Sequence, residues 1–179
     1  MPPQHVDGSN APLPKAAPKV TPLSPGEKKR LAMNGWAKWA IANHGQFVYT
    51  QTPARWHMVT SPPGSLPQSA DCSSFVTALA KWAGASDPNG LAFKAGYTGT
   101  LLSHCNHIDR EQAQMGDLIV YGPGTGDHAV FVMQRIFGDG GADFWVASHG
   151  HAGDPGRRLH SEMLAYFHGV AAYLRWISP

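Results

Sequence analysis

Apolar positions recur along this chain at two periods, and the change from one to the other divides it. After Cys72, the residues Phe75, Val76, Leu79 and Ala83 follow helical spacing. That spacing predicts an amphipathic helix with Asp71 as its N-cap and Gly84 as its terminator. Upstream, Ser24-Pro25-Gly26-Glu27 reads as a helix start: a Ser cap, Pro at the first position and Glu completing a capping box. The stripe of this first helix is expected on Leu31, Gly35 and Trp39 with Ala32, Trp36 and Ala40, ending near residues 43–45. Residues 47–50 read as a short strand or extended turn, and residues 98–104 as a short helix.

Beyond Met115-Gly116-Asp117 the period shortens. Leu118-Ile119-Val120-Tyr121 is the continuous apolar run of a buried strand. Residues 128–136 alternate, with His128, Val130 and Val132 on one face and Ala129, Phe131 and Met133 on the other. Gly138-Asp139-Gly140-Gly141 closes a hairpin into a strand over residues 143–149, and residues 170–177 supply another. Helices first and an antiparallel meander afterwards make an α+β fold.

Residues 1–23 carry six prolines among small and polar residues, the composition of an extended leader that packs no core. Residues 24–179 are then the domain. Residues 51–70, with four prolines, read as a loop wrapping towards Cys72, with Tyr49, Arg55 and Trp56 placed to line a cleft. A net charge of +2 gives no nucleic-acid footprint, and no apolar run reaches the span of a membrane. The first residues lack a basic and then apolar leader, so no secretory signal is expected.

The chemistry centres on Cys72, at the first helical position. The positive end of the helix dipole is expected to favour the thiolate there. A cysteine nucleophile needs an imidazole to take its proton and a third group to fix that imidazole. His128 opens a strand after a glycine-rich turn; it reaches Cys72 if the Val130 and Val132 face packs on the helix. His149 ends the neighbouring strand and is the expected orienting group. Ten histidines and two cysteines also leave open a zinc site drawn from His104, Cys105, His107, His149 or His151, although no metal-binding frame is present. A disulfide between Cys72 and Cys105 would remove the nucleophile.

Asp-Cys-Ser-Ser-Phe-Val at 71–76, Gly-Asp-Leu-Ile-Val-Tyr at 116–121 and His-Ala-Val-Phe-Val at 128–132 stand in the order and spacing of the NlpC/P60 cysteine peptidases. The chain resembles that family over residues 27–177. Tyr-Thr-Gly-Thr-Leu at 97–101 and Ser-His-Gly-His at 148–151 look more particularly like the peptidase modules of endolysins from phages of mycobacteria and related actinobacteria. The resemblance implies a papain-like fold, with N-terminal helices on a central antiparallel sheet. It implies hydrolysis of the γ-D-glutamyl–meso-diaminopimelate bond in the peptidoglycan stem peptide, without a cofactor. Cys72 would be the nucleophile, His128 the base and His149 the polar third residue, with His151 as its rival. Asp71 and Ser73 match positions that hold the free amine end of the stem peptide. Tyr49 lies near the tyrosine that assists the oxyanion hole.

Two departures stand out. Ser74 replaces a glycine, and Gly-Gln-Phe-Val-Tyr differs from the usual Gly-x-Pro-Tyr. The resemblance further implies a monomer made in the host cytoplasm and released by a holin to act on the wall. A CHAP-type amidase cutting the sugar–peptide amide, or a wall-binding module without catalysis, stays open beside it.

Overall fold

The cap at Ser24 forms as its sequence predicts. In a computed structural model, which describes residues 21–138, 141–150 and 155–177, the Ser24 hydroxyl accepts the Glu27 N–H. The Glu27 carboxylate in turn accepts the Ser24 N–H at 2.7 Å, opening helix α1 (Pro25–Ala42). The buried stripe of α1 is rotated from the expected one. It runs through Gly26, Arg30, Met33, Ala37 and Ala40, while Leu31 is exposed. The cause is polar: Arg30 turns inward to the Asp117 carboxylate at 2.9 Å and carries Met33 and Ala37 with it. Trp36 and Trp39 flank the stripe and pack edge-on against Trp82.

Strands β1 (Phe47–Tyr49) and β2 (Gln68–Ala70) pair in parallel. The proline-bearing stretch between them, expected as loop, holds a 3-10 turn (Pro53–Trp56) and the single-turn helix α2 (His57–Thr60). Strand β2 hands the chain to α3 (Cys72–Trp82). Gly84, at φ +67°, ends that helix: its N–H bonds the Lys81 carbonyl and the Ala85 N–H the Ala80 carbonyl, the paired closure glycine permits. Helix α4 (Thr98–His104) follows, then β3 (Asn106–Ile108), β4 (Leu118–Tyr121), β5 (His128–Gly138), β6 (Gly141–Ser148), β7 (Gly156–Leu159), α5 (His160–Tyr166) and β8 (Ala171–Arg175).

These later strands form one antiparallel sheet in the order β3-β8-β4-β5-β6-β7, so the fold is α+β. The last strand slides between β3 and β4, which a simple meander does not foresee. The β7–α5 unit was not expected either: Gly156-Arg157-Arg158-Leu159 is too polar and short to signal a strand, and it pairs as a basic edge. Residues 1–20, most of the expected leader, lie outside the described residues. No helix among the described residues is long and apolar enough to cross a membrane.

The two faces of the sheet carry separate cores. Ala129, Phe131 and Met133 pack with Leu118, Val120 and Ala147 against Phe75, Val76 and Leu79 of α3. Ile119, Tyr121, Val130, Val132 and Val146 pack under Met163, Leu164 and Phe167 of the α5 region. The expectation that Val130 and Val132 face the Cys72 helix is therefore overturned; the alternate set of β5 does so.

The second core contains a fully buried histidine. His160 Nδ1 lies 2.8 Å from the Tyr121 hydroxyl and Nε2 2.9 Å from that of Tyr173. Burial, helped by Arg110, lowers its pKa to about 4, against the opposing pull of Asp143. A folded-state pKa below the unfolded value means that the unfolded chain binds the extra proton first. Stability is thus expected to fall as pH drops from about 6.5 to about 4, by on the order of 3 kcal/mol for this one group. Urea titrations of the native protein and of His160→Gln check this. The variant should lose that share of the acid dependence, and parallel pH profiles for the two would refute it.

Candidate active site

Asp71 leaves β2 in an extended conformation and caps α3. Its Oδ1 accepts the Ser74 N–H at 2.7 Å, and Ser74 Oγ accepts the Asp71 N–H at 2.8 Å. The residue replacing the expected glycine thus completes a capping box. This fixes Cys72 as the first helical residue, with its side chain buried under the mouth of a cleft. Burial pushes the Cys72 thiol up to about 11, and the Asp71 carboxylate acts in the same direction. The backbone N–H groups of Ala129, Ser73 and Cys72 itself pull the other way. The thiolate expected at a helix start is therefore outweighed, and the resting group is the thiol. Ala129, whose N–H acts on the sulfur, follows His128 at the start of β5.

His128 is buried as the first residue of β5. Its Nε2 lies 2.9 Å from Ser148 Oγ, and its ring stacks on Phe167 with centroids 5.8 Å apart and planes 8° from parallel. The ring also lies against Gly150, where an added Cβ would stand 2.9 Å from Cε1. His149, the residue after β6, is buried on the opposite side from Ser148. Its ring meets those of Phe47, Tyr49 and Phe75, with centroids 5.5 to 6.1 Å away. The described hydroxyl at His128 is thus that of Ser148, which the sequence reading did not single out. His151 lies outside the described residues.

A bulge explains this exchange. Near the hairpin, Gly138 pairs with Gly141, Arg135 with Phe144 and Gln134 with Trp145. Continued without interruption, that register sets His149 across from Val130, on the face of His128. The register slips between Val132 and Gln134, so that Val132 pairs with Val146 and Phe131 with Ala147. One extra residue, Met133, moves Ser148 onto that face and His149 off it.

Two cavities meet at Asp127. One, of about 400 Å³, is lined by Tyr49, His128, Ser148, Arg158 and Phe167. The other, of about 300 Å³, is lined by Gln51, Arg55, Asp71, Cys72, Ser73 and Tyr97. Asp127 lines both. The Tyr49 hydroxyl, half-buried, accepts a bond from Gln51 Nε2 at 3.1 Å. Arg55 pairs with Asp71 Oδ2, donates to the Gly96 carbonyl at 2.7 Å and stacks over the Trp56 ring. Thr98 Oγ1 donates to the Gly126 carbonyl at 2.9 Å, tying α4 to the turn before Asp127.

Of the zinc candidates, Cys105 directs its thiol to the Pro88 carbonyl and His107 its Nε2 to the Leu102 carbonyl. Among the described residues no group of three or more His, Cys, Asp or Glu is gathered as for a metal. Both cysteines are free thiols.

Neither a family model nor a curated protein matches the chain. Solved structures do. The chain is similar to the NlpC/p60 domain of the peptidoglycan hydrolase SagA, at 21% identity over 82% of this chain and 98% of that one, with a TM-score of 0.46. It is similar to an NlpC/P60 family protein from Bacillus cereus, at 19% identity over 71% of this chain and 41% of that one, with a TM-score of 0.42. It is also similar to the peptidoglycan hydrolase RipB from Mycobacterium tuberculosis, at 21% identity over 89% of this chain and 75% of that one, with a TM-score of 0.38. What the chain is similar to is thus a set of NlpC/p60 and peptidoglycan hydrolase structures, at 19% to 21% identity.

Proposed function

We propose that this chain is a cysteine peptidase that hydrolyses an amide bond of the peptidoglycan stem peptide. The observation that carries the reading is Cys72 on the first turn of α3, lining a cavity that shares Asp127 with the one lined by His128 and Ser148. In this reading His128, which opens β5 on the Phe167 side of the sheet, reaches Cys72 around the strand end, and its Nδ1 takes the proton of the thiol as the sulfur attacks the scissile carbonyl. Ser148 meanwhile holds Nε2. The resulting imidazolium returns the proton to the leaving amine, and water then hydrolyses the thioester by the reverse path. The backbone N–H of Cys72 and the Tyr49 hydroxyl are the donors assigned to the oxyanion.

The bond we assign, from the family resemblance of the motifs, is γ-D-glutamyl–meso-diaminopimelate. The host process is phage lysis, with residues 24–179 as the catalytic domain. Mass spectrometry of fragments released from a defined muropeptide tests the bond. A free glycan and an intact peptide among the products would instead make the chain an amidase.

The third role, expected at His149, goes to Ser148 in this reading. His128→Ala should lower the hydrolysis rate by at least about 100-fold. Ser148→Ala should cost about tenfold and move the acid limb of the pH–rate profile, because an imidazole loses the partner of its Nε2. Ser148→Thr should restore both. Replacing His149 by Phe should change melting temperature more than pH profile. A His149 variant that shifts the pH profile while Ser148→Ala leaves it unmoved would return the orienting role to His149.

A further inference from the structure

The resemblance of the Asp-Cys-Ser motif assigns Asp71 and Ser73 to a free amino end, yet the structure closes that position from within the chain. Asp71 is about nine-tenths buried, with a side-chain exposure of 8%. Its Oδ1 accepts the Ser74 N–H at 2.7 Å and the Ser73 hydroxyl at 3.0 Å. Its Oδ2 accepts Arg55 Nη1. Ser73 is occupied too: it donates to Asp71, and Arg55 Nη1 approaches its oxygen at 3.4 Å. Arg55 is fixed at its other nitrogen by the Gly96 carbonyl and from the side by the Trp56 ring. The charges of Arg55 and Asp71 cancel inside the wall. The groups left to meet a substrate in that cavity are the uncharged Gln51, Tyr97 and edge of Thr98, together with the exposed Asp127 carboxylate that also lines it.

An ammonium entering here would find the Asp71 carboxylate already paired with a guanidinium, and would be desolvated beside that motif without gaining the motif's charge as a partner. A neutral amide would meet no such penalty. We propose that this enzyme takes stem peptides whose amino end is acylated, as it is where the peptide hangs from the glycan strand, rather than released peptides with a free amine. The Arg55–Asp71 clasp is the specificity-determining feature. The inference rests on the peptidoglycan reading above and names the form of substrate that the Cys72 side of the cleft accepts.

The test compares two synthetic stem tetrapeptides of one sequence, one with a free amino terminus and one N-acetylated. With the native protein, kcat/KM for the acetylated peptide should equal or exceed that for the free one. A free-amine peptide cut more than about tenfold faster, the span of one charge-assisted hydrogen bond, would overturn the proposal.

Arg55→Gln removes the clasp and exposes Asp71 Oδ2. The ratio of free to acetylated kcat/KM should then rise about tenfold, chiefly through KM. Arg55→Lys, which keeps a cation, should shift it less. An unchanged ratio in a folded Arg55→Gln protein refutes the role of the clasp, and the native comparison stands alone if that variant does not fold. Asp127 is exposed on the same cavity. A free-amine preference that vanishes in Asp127→Asn would place an ammonium site there and overturn the inference. If neither peptide nor a disaccharide-linked muropeptide is cut, the peptidoglycan reading itself fails. If all are cut with the free amine preferred, only this inference does.

Discussion

Cys72→Ser and Cys72→Ala are expected to abolish hydrolysis of purified cell walls, by at least about 10⁴-fold, the scale on which removal of a covalent nucleophile acts. The fold should persist, because the cap of α3 is built from Asp71 and Ser74 and does not use the sulfur. Cys105→Ala provides the contrast. That thiol is pushed up to about 12, chiefly by burial and further by Asp87, it faces the Pro88 carbonyl, and its loss should leave activity largely intact.

The protonation state of Cys72 adds a second signature. A thiol raised to about 11 is about one part in 10⁴ thiolate at neutral pH. Alkylation by iodoacetamide in the absence of substrate should therefore be slow at neutral pH and rise about tenfold per pH unit towards that value. A raised pKa keeps the reactive anion scarce until the pH approaches it. Full activity in Cys72→Ala would sink the assignment of the nucleophile, and fast, pH-independent alkylation of Cys72 would overturn the resting thiol.

Much of this site was legible because its signals are local. The cap at Asp71, the place of Cys72 and the stop at Gly84 depend on a dozen consecutive residues, and each lies where helix-end chemistry puts it. What failed depends on distant pairings. The stripe of α1 was misplaced because Arg30 counts as a solvent-facing residue until Asp117, far along the chain, is known to lie opposite it. Ser148 beside His128 escapes the sequence because alternation alone does not reveal the one-residue slip at Met133. The thiolate was expected because a helix start announces itself in sequence, whereas burial beneath a sheet does not. Strand β8 was foreseen as a strand, but its insertion between β3 and β4 depends on the same long-range clasp that buries Arg30.

That clasp carries the largest expected effect on stability. Asp117 is fully buried, and both of its oxygens are occupied. Oδ1 accepts Arg30 Nη1 at 2.9 Å and Arg175 Nε at 3.0 Å; Oδ2 accepts Arg175 Nη2 at 2.6 Å and the Gln114 N–H at 2.9 Å. The two arginines reach onward to backbone carbonyls, Arg30 to Ile177 at 2.7 Å and Arg175 to Gln112 at 2.7 Å. One carboxylate thus joins α1, the entry to β4 and β8. Gly116 is part of the same fitting. At φ +97° it adopts a backbone that side chains resist, and a Cβ there would stand 2.5 Å from Arg30 Cγ. The Gly-Asp-Leu stretch is therefore a structural joint, set apart from the chemistry at Cys72.

Removing one member of a buried ionic group leaves the others uncompensated, at a cost of about 3–5 kcal/mol, against a total stability of about 5–15 kcal/mol for a domain. Asp117→Ala is expected to lower the melting temperature by about 6–20 °C, or to prevent folding. Asp117→Asn should fall between, since it keeps acceptors for the guanidinium groups but not the charge. Replacing all three together, Arg30→Met, Asp117→Leu and Arg175→Met, should recover much of the loss, because it removes the stranded charges along with their partner. Thermal and urea unfolding of the four proteins measure this, and the activity of the molecules that remain folded should stay near native. A loss below about 1 kcal/mol in Asp117→Ala, the range of an exposed surface pair, would show that water reaches the clasp and that something else holds α1 to the sheet.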